Sequence, residues 1–231
     1  MDERMTRAAL AARIDHTVLK AVAGENEVRS LCAEAVRYGF ASVCVNGKHV
    51  ALAASCLRGQ KPLVCAVVGF PLGAMSPAAK AEEAFIAVKD GAREVDMVMD
   101  VGAAKAGDWK TVEEDIRGVV KAVKKAAGRF SKAAVKVIIE CCYLSDAEKE
   151  RATAACLSGG ADFVKTSTGF GPSGATIDDV KLLRRAAGDR LRVKAAGGIR
   201  TTREALAMVE AGADRIGASN GVEIVSMLEE D

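Results

Sequence analysis

Gly91-Ala92-Arg93-Glu94-Val95 reads as a helix-ending glycine, a tight turn and the entry to a strand. The same arrangement returns at Gly39-Phe-Ala-Ser-Val43, Gly160-Ala-Asp-Phe-Val164 and Gly212-Ala-Asp-Arg-Ile216, at spacings of 52, 69 and 52 residues. Outward from these turns, short apolar runs alternate with helical patterns. Strands are predicted at Arg13–Thr17, Ser42–Val45, Leu63–Val68, Glu94–Met99, Val135–Ile139, Asp162–Lys165, Leu191–Lys194 and Asp214–Gly217. Glu27–Tyr38 places Val28, Leu31, Cys32, Ala35 and Val36 on one helical face. Helices are also predicted over 77–90, behind Ser76-Pro77, and over 109–127. Two more, over 146–158 and 202–211, open with the capping boxes Ser145…Glu148 and Thr201…Glu204. Gly39, Gly91, Gly159, Gly188 and Gly212 end helices. Strand–helix alternation implies a parallel sheet, and 231 residues hold eight units of about 29 residues each. An open doubly wound sheet is the alternative. The four echoes precede the even strands, and alternate strands fill alternate interior layers in a closed (β/α)8 TIM barrel, so a single barrel domain over 1–231 is expected.

Half the chain is apolar and 33 basic residues face 31 acidic ones, which excludes a disordered chain and gives no basic excess for nucleic acid. Aromatics make up only 4%, so the core must be aliphatic. The longest apolar stretch, Leu63 to Met75, has 13 residues and carries Gly69, Pro71 and Gly73; a spanning helix needs about 20. The opening Met-Asp-Glu-Arg-Met-Thr-Arg and Arg13 leave no signal-peptide core, and a cytoplasmic protein is expected. The seven cysteines contain no CxxC pair, and His16 and His49 are the only histidines. Free buried thiols and no metal site are expected.

Barrel chemistry sits at the C-terminal strand ends. Lys165 and Lys194 end adjacent strands, and their small or apolar neighbours turn both toward the interior. Two ammoniums ~6 Å apart at an effective dielectric near 20 repel by about 3 kcal/mol. That repulsion is expected to lower one lysine pKa by roughly 2 and to yield an amine nucleophile for a carbonyl. Asp96 is placed to balance the remaining charge and to transfer protons. A buried Lys–Asp–Lys network that only supports the barrel is the competing reading. After strands seven and eight, Gly197-Gly198 and Gly217-Ala218-Ser219-Asn220-Gly221 match the phosphate loops of barrels, with Thr166, Ser167, Thr168 and Gly169 as a polar rim. Arg200 reads equally as a helper or as a solvated charge.

These motifs resemble deoxyribose-phosphate aldolases, class I (Schiff-base) lyases. The resemblance is carried by Ile14–Thr17, Ala41–Asn46, Gly69-Phe-Pro-Leu-Gly73, Glu94–Val98, Lys136–Glu140, Asp162–Phe170, Lys194–Thr201 and Arg215–Ser219, in order over nearly the whole chain. It implies a (β/α)8 barrel that reversibly cleaves 2-deoxy-D-ribose 5-phosphate to D-glyceraldehyde 3-phosphate and acetaldehyde, with no metal or organic cofactor. It implies Lys165 as the Schiff-base nucleophile, Lys194 and Asp96 as its catalytic partners, and Asp15, Cys44 and Thr166 in the substrate pocket. Gly169, Gly197, Gly198, Gly217, Ser219 and Asn220 would bind phosphate. The expected partner is a small phosphorylated sugar, with neither nucleic acid nor membrane; a homo-oligomer, dimer or tetramer, is left open.

Three features depart from the family pattern. Asp100 adds an acid after strand four and is expected to be a solvated rim charge. Asn220 stands where a serine is common, and the chain ends at Glu229-Glu230-Asp231 without the longer tail of some members. An isomerase, a flavin-dependent oxidoreductase barrel and a non-enzymatic phosphate-binding barrel share the glycine loops and are the rival readings; the paired lysines argue against the flavin case.

Overall fold

The computed structural model describes residues 5–128 and 132–228. Eight parallel strands alternate with helices: α1 (Arg7–Ala11), β1 (Ile14–Val18), α2 (Glu25–Tyr38), β2 (Ser42–Val45), α3 (Val50–Cys56), β3 (Leu63–Val68), α4 (Pro77–Lys89), β4 (Glu94–Val98), α5 (Val101–Lys105) and α6 (Trp109–Ala127). The second half continues with β5 (Ala134–Ile138), α7 (Asp146–Gly159), β6 (Phe163–Lys165), α8 (Ile177–Ala187), β7 (Arg192–Ala196), α9 (Thr202–Glu210), β8 (Arg215–Ala218) and α10 (Gly221–Ser226). Each strand pairs with the next, and β1 closes on β8 with Ile14 opposite Ile216, so the sheet is a closed barrel. This is the (β/α)8 TIM barrel rather than the open sheet.

Strand alternation separates two environments. Val43, Val64, Ala66, Val95, Met97, Val137, Val164, Val193 and Ile216 face the helices in one aliphatic core. The residues between them fill the barrel in three tiers of four, each from alternate strands. The lowest holds Ser42, Glu94, Phe163 and Arg215; the middle holds Asp15, Cys65, Lys136 and Lys194; the upper holds Cys44, Asp96, Lys165 and Gly217. Branched apolar side chains usually dominate such tiers, but here seven of the twelve positions are charged. The fourth upper position has no side chain: a Cβ on Gly217 would come within 3.2 Å of the Lys194 Cε and 2.9 Å of Ala196. The tier is therefore open on the β8 side.

Local signals match the elements closely. The longest helix spans 109–127 as its pattern predicts, and both capping boxes form. Gly159 is the last residue of α7, and the left-handed cap is Gly160. β1 lies one residue further along than expected. Asp100 is not an idle rim charge: its carboxylate accepts from the Ala103 N–H at 2.9 Å and caps α5. All seven cysteines are free thiols, but Cys56 and Cys142 are only half-buried, contrary to the expectation that all would be buried. No helix among the described residues is long and apolar enough to cross a membrane. The opening Met1–Arg4 and the terminal Glu229–Asp231, both of which bear on the expectations above, lie outside the described residues.

Candidate active site

The three interior tiers bring four cations and three carboxylates together inside the barrel: Lys136, Lys165, Lys194 and Arg215 against Asp15, Glu94 and Asp96. Asp96 is the hub. Its Oδ2 accepts from Lys165 Nζ at 2.7 Å and from Lys194 Nζ at 2.6 Å, and its Oδ1 from Lys136 Nζ at 2.9 Å and Cys65 Sγ at 3.1 Å. Burial pushes the Asp96 pKa up, but the three ammoniums outweigh it and hold the carboxyl well below the ordinary range. Asp15 is likewise lowered: burial opposes ionisation, while Lys194, Lys136 and Arg215 favour it more strongly. Lys194 carries two carboxylates, Asp15 at 2.5 Å and Asp96 at 2.6 Å. Burial alone would lower its pKa; the two anions raise it instead.

Lys194 is thus a paired cation, and the repulsion expected between the two ammoniums is offset there by Asp15 as well as by Asp96. Lys136, Glu94 and Arg215 also belong to the cluster, and none of them was expected there. Lys136 is fully buried and bonds Glu94 at 2.6 Å, and Arg215 bonds Glu94 at 2.9 Å and also contacts Asp15. The available signal was Lys136 alternating with Val135 and Val137, which turns it to the interior beside Asp96.

A cavity of about 540 Å³ opens above this cluster, within the range of small-molecule sites. Of the three clustered lysines, only Lys165 lines it. Gly169, Gly197, Gly198, Gly217 and Ser219 line it too, together with Thr168, Phe170, Arg200 and Lys20. From β1 and α2 come His16 and Glu34, joined Nε2 to Oε2 at 2.7 Å, which were not expected there.

Four expected pocket residues do not line the cavity as assigned. Asp15 belongs to the tier below Lys165, and Cys44 is 1% exposed, packed with Cys65 and Val67. Thr166 is a clip between strands: its hydroxyl donates to the Ala196 carbonyl at 3.2 Å and accepts from the Ala196 N–H at 3.1 Å. Asn220 turns aside and accepts from the Ser219 hydroxyl at 3.0 Å. Cys44 Sγ, Cys65 Sγ and an Asp96 oxygen lie within 4.8 Å of one another, a spacing that suits a soft cation. Both Asp96 oxygens already accept from ammoniums, so a metal entering there would meet three fixed positive charges.

A parallel barrel with a lysine lining the cavity at its C-terminal mouth, set on a buried carboxylate and rimmed by glycine loops, defines a lysine-bearing barrel enzyme site. Residues 9–226 match the model of the DeoC/LacD family aldolases. A deoxyribose-phosphate aldolase of Aciduliprofundum boonei is 54% identical over 95% of this chain and 97% of its own length, and one of Carboxydothermus hydrogenoformans is 52% identical over 95% of each. Among solved structures, a putative deoxyribose-phosphate aldolase from Coccidioides immitis superposes with a TM-score of 0.90 at 41% identity, covering 95% of this chain and 85% of that one. The deoxyribose phosphate aldolase of Aeropyrum pernix, described as tetrameric, gives 0.89 at 33% identity over 96% and 91%. The chain belongs to the DeoC/LacD family of aldolases, which are carbon–carbon lyases.

Proposed function

We propose that this aldolase reversibly cleaves 2-deoxy-D-ribose 5-phosphate to D-glyceraldehyde 3-phosphate and acetaldehyde through an imine on Lys165, without a metal or organic cofactor. The observation that carries the reading is the position of Lys165, the one member of the buried cluster open to the cavity. It is also the cluster lysine with the fewest counterions, a single carboxylate oxygen at 2.7 Å. Four cations against three carboxylates leave one positive charge in excess, and an excess charge in a buried cluster is costly. Of the four cations, Lys165 is the one that a carbonyl in the cavity can reach.

Lys165 Nζ adds to the C1 aldehyde, and loss of water gives the imine. Protonation restores one positive charge beside Asp96 Oδ2, which becomes the counterion of the iminium. The iminium draws the electrons of the C2–C3 bond as the C3 hydroxyl loses its proton, so glyceraldehyde 3-phosphate leaves and an enamine remains. Protonation at C2 and hydrolysis of the imine release acetaldehyde and return the amine. Lys194 and Asp96, bridged at 2.6 Å, are the groups through which protons pass beneath Lys165, with water completing the relay. The glycine backbone around 169, 197, 198 and 217, with Ser219, receives the phosphate end of the substrate. A cytoplasmic homo-oligomer completes the proposal.

Acetaldehyde plus borohydride, followed by peptide mass mapping, tests the chemistry. A reduced two-carbon adduct is expected on Lys165 and absent from Lys165→Ala, with retro-aldol turnover unchanged in excess EDTA. An adduct mapped mainly to Lys194, or turnover that needs added zinc or magnesium, overturns the mechanism.

A further inference from the structure

Glu140 is a buried carboxylate that the chemistry above does not use. It follows β5 with a left-handed backbone, φ 53 and ψ 69, the only positive φ outside glycine among the described residues. It is 3% exposed, and it does not line the cavity. A left-handed glutamate and a buried carboxylate are each unfavourable. What offsets them is Thr168: Oε1 accepts the Thr168 N–H at 3.1 Å, and Oε2 accepts the Thr168 hydroxyl. The Thr168 oxygen in turn accepts the Phe170 N–H at 3.0 Å.

The segment fixed in this way forms one wall of the cavity, and its far side is locked to the next wall. Ala175 N–H donates to the carbonyls of Ala196 and Gly197 at 3.2 and 3.0 Å. Gly174 lies so close to Gly197 that a Cβ there would collide with the Gly197 carbonyl, and a Cβ on Gly169 would sit 3.7 Å from the Gly197 Cα. The loop after β6 is thus tied to Ala196 and Gly197 on one side and to Glu140 on the other.

We infer that Glu140 is a positioning residue for substrate selectivity: acting through Thr168, it holds Gly169 against Gly197 and so sets the phosphate-binding wall without touching substrate. This rests on the proposed reaction, in which that wall receives the phosphate.

The test compares kcat and KM for 2-deoxyribose 5-phosphate and for free 2-deoxyribose in Glu140→Gln, Thr168→Val and the double variant, with borohydride trapping of acetaldehyde run on each. Glu140→Gln keeps the volume and the backbone but takes away one charged acceptor. Its KM for the phosphorylated sugar is expected to rise about tenfold with kcat within about threefold, while kcat/KM for the free sugar moves less than about twofold. Trapping on Lys165 should persist. Because Thr168 lines the cavity itself, the double variant decides the route: if Glu140 acts through Thr168, whose N–H bond alone survives in Thr168→Val, the double variant loses less than the sum of the two single losses. An unchanged preference for the phosphorylated sugar in Glu140→Gln, or losses that simply add in the double variant, overturns the inference. If Glu140→Gln does not fold, an unchanged preference in Thr168→Val overturns it equally. Failure of the wild-type protein to trap acetaldehyde instead strikes the imine reading, which the selectivity ratios do not address.

Discussion

Lys194 sits one tier below Lys165, with an Asp15 and an Asp96 oxygen against its ammonium. Removing it leaves three cations against three carboxylates, so the charges inside the barrel still balance. Lys194→Met should therefore fold, with a stability loss on the order of 1–3 kcal/mol, because the remaining charges still pair. Its kcat should fall by about a hundredfold or more across the pH range, because the proton relay beneath Lys165 loses a member. A kcat close to wild type in a natively folded variant would show that Lys194 takes no part in the relay.

At the scale of elements, Lys80 on α4 and Asp115 on α6 form a second buried pair, 2.6 Å apart and both essentially inaccessible. Lys80 also donates to the carbonyl of Val98, the last residue of β4, at 3.1 Å, and Gly69 rests on its methylenes. One lysine therefore joins two helices to the end of β4 and to the residue that follows β3. Lys80→Met should cost about 3–5 kcal/mol in denaturant unfolding, because it strands the Asp115 carboxylate in the core. Lys80→Met combined with Asp115→Leu should regain most of that loss. A single variant within about 1 kcal/mol of wild type would mean that Asp115 takes up a proton and relaxes. The contrast with the caps shows what can be read from a sequence. Ser145…Glu148 and Thr201…Glu204 act within four residues, so their hydrogen bonds are local and legible. Lys80 and Asp115 are 35 residues apart on amphipathic helices, where each reads as a solvated charge until the packing of α4 on α6 is known. Lys136 was hidden for the same reason: its partners Glu94 and Asp96 are set by strand register, not by spacing along the chain. Lys165 was legible because it ends its strand before a polar, glycine-bearing loop, and Lys194 because Gly197-Gly198 follow closely, although β7 runs on to Ala196 and leaves Lys194 inside the strand.

For the whole molecule, barrel closure turns twelve inward positions into one electrostatic unit, joining Asp15 near the N-terminus to Arg215 near the C-terminus. The aliphatic shell outside it was readable from alternation; the charged interior was not, since it depends on β1 meeting β8. This arrangement fixes how the fold responds to acid. Burial pushes the Asp15 pKa up, but Lys194, Lys136 and Arg215 together pull it below its ordinary 3.8 in the folded barrel. In the unfolded chain Asp15 takes up a proton near that ordinary value, while in the barrel it stays ionised. Its contribution to stability is thus fully present above about pH 4 and is lost as pH falls toward the folded pKa, because there the unfolded state binds the extra proton. Asp15→Asn should accordingly be less stable than wild type at pH 7, since Lys194 loses a counterion. Below about pH 4 its stability should decline less steeply, by up to about 1.4 kcal/mol per pH unit. Guanidinium unfolding between about pH 2.5 and pH 7 measures both slopes. Curves that run parallel throughout would mean that Asp15 has the same pKa in the barrel as in the unfolded chain. Lys194, Lys136 and Arg215 would then do no more than cancel the cost of burying its carboxylate, and the interior would not act as one electrostatic unit.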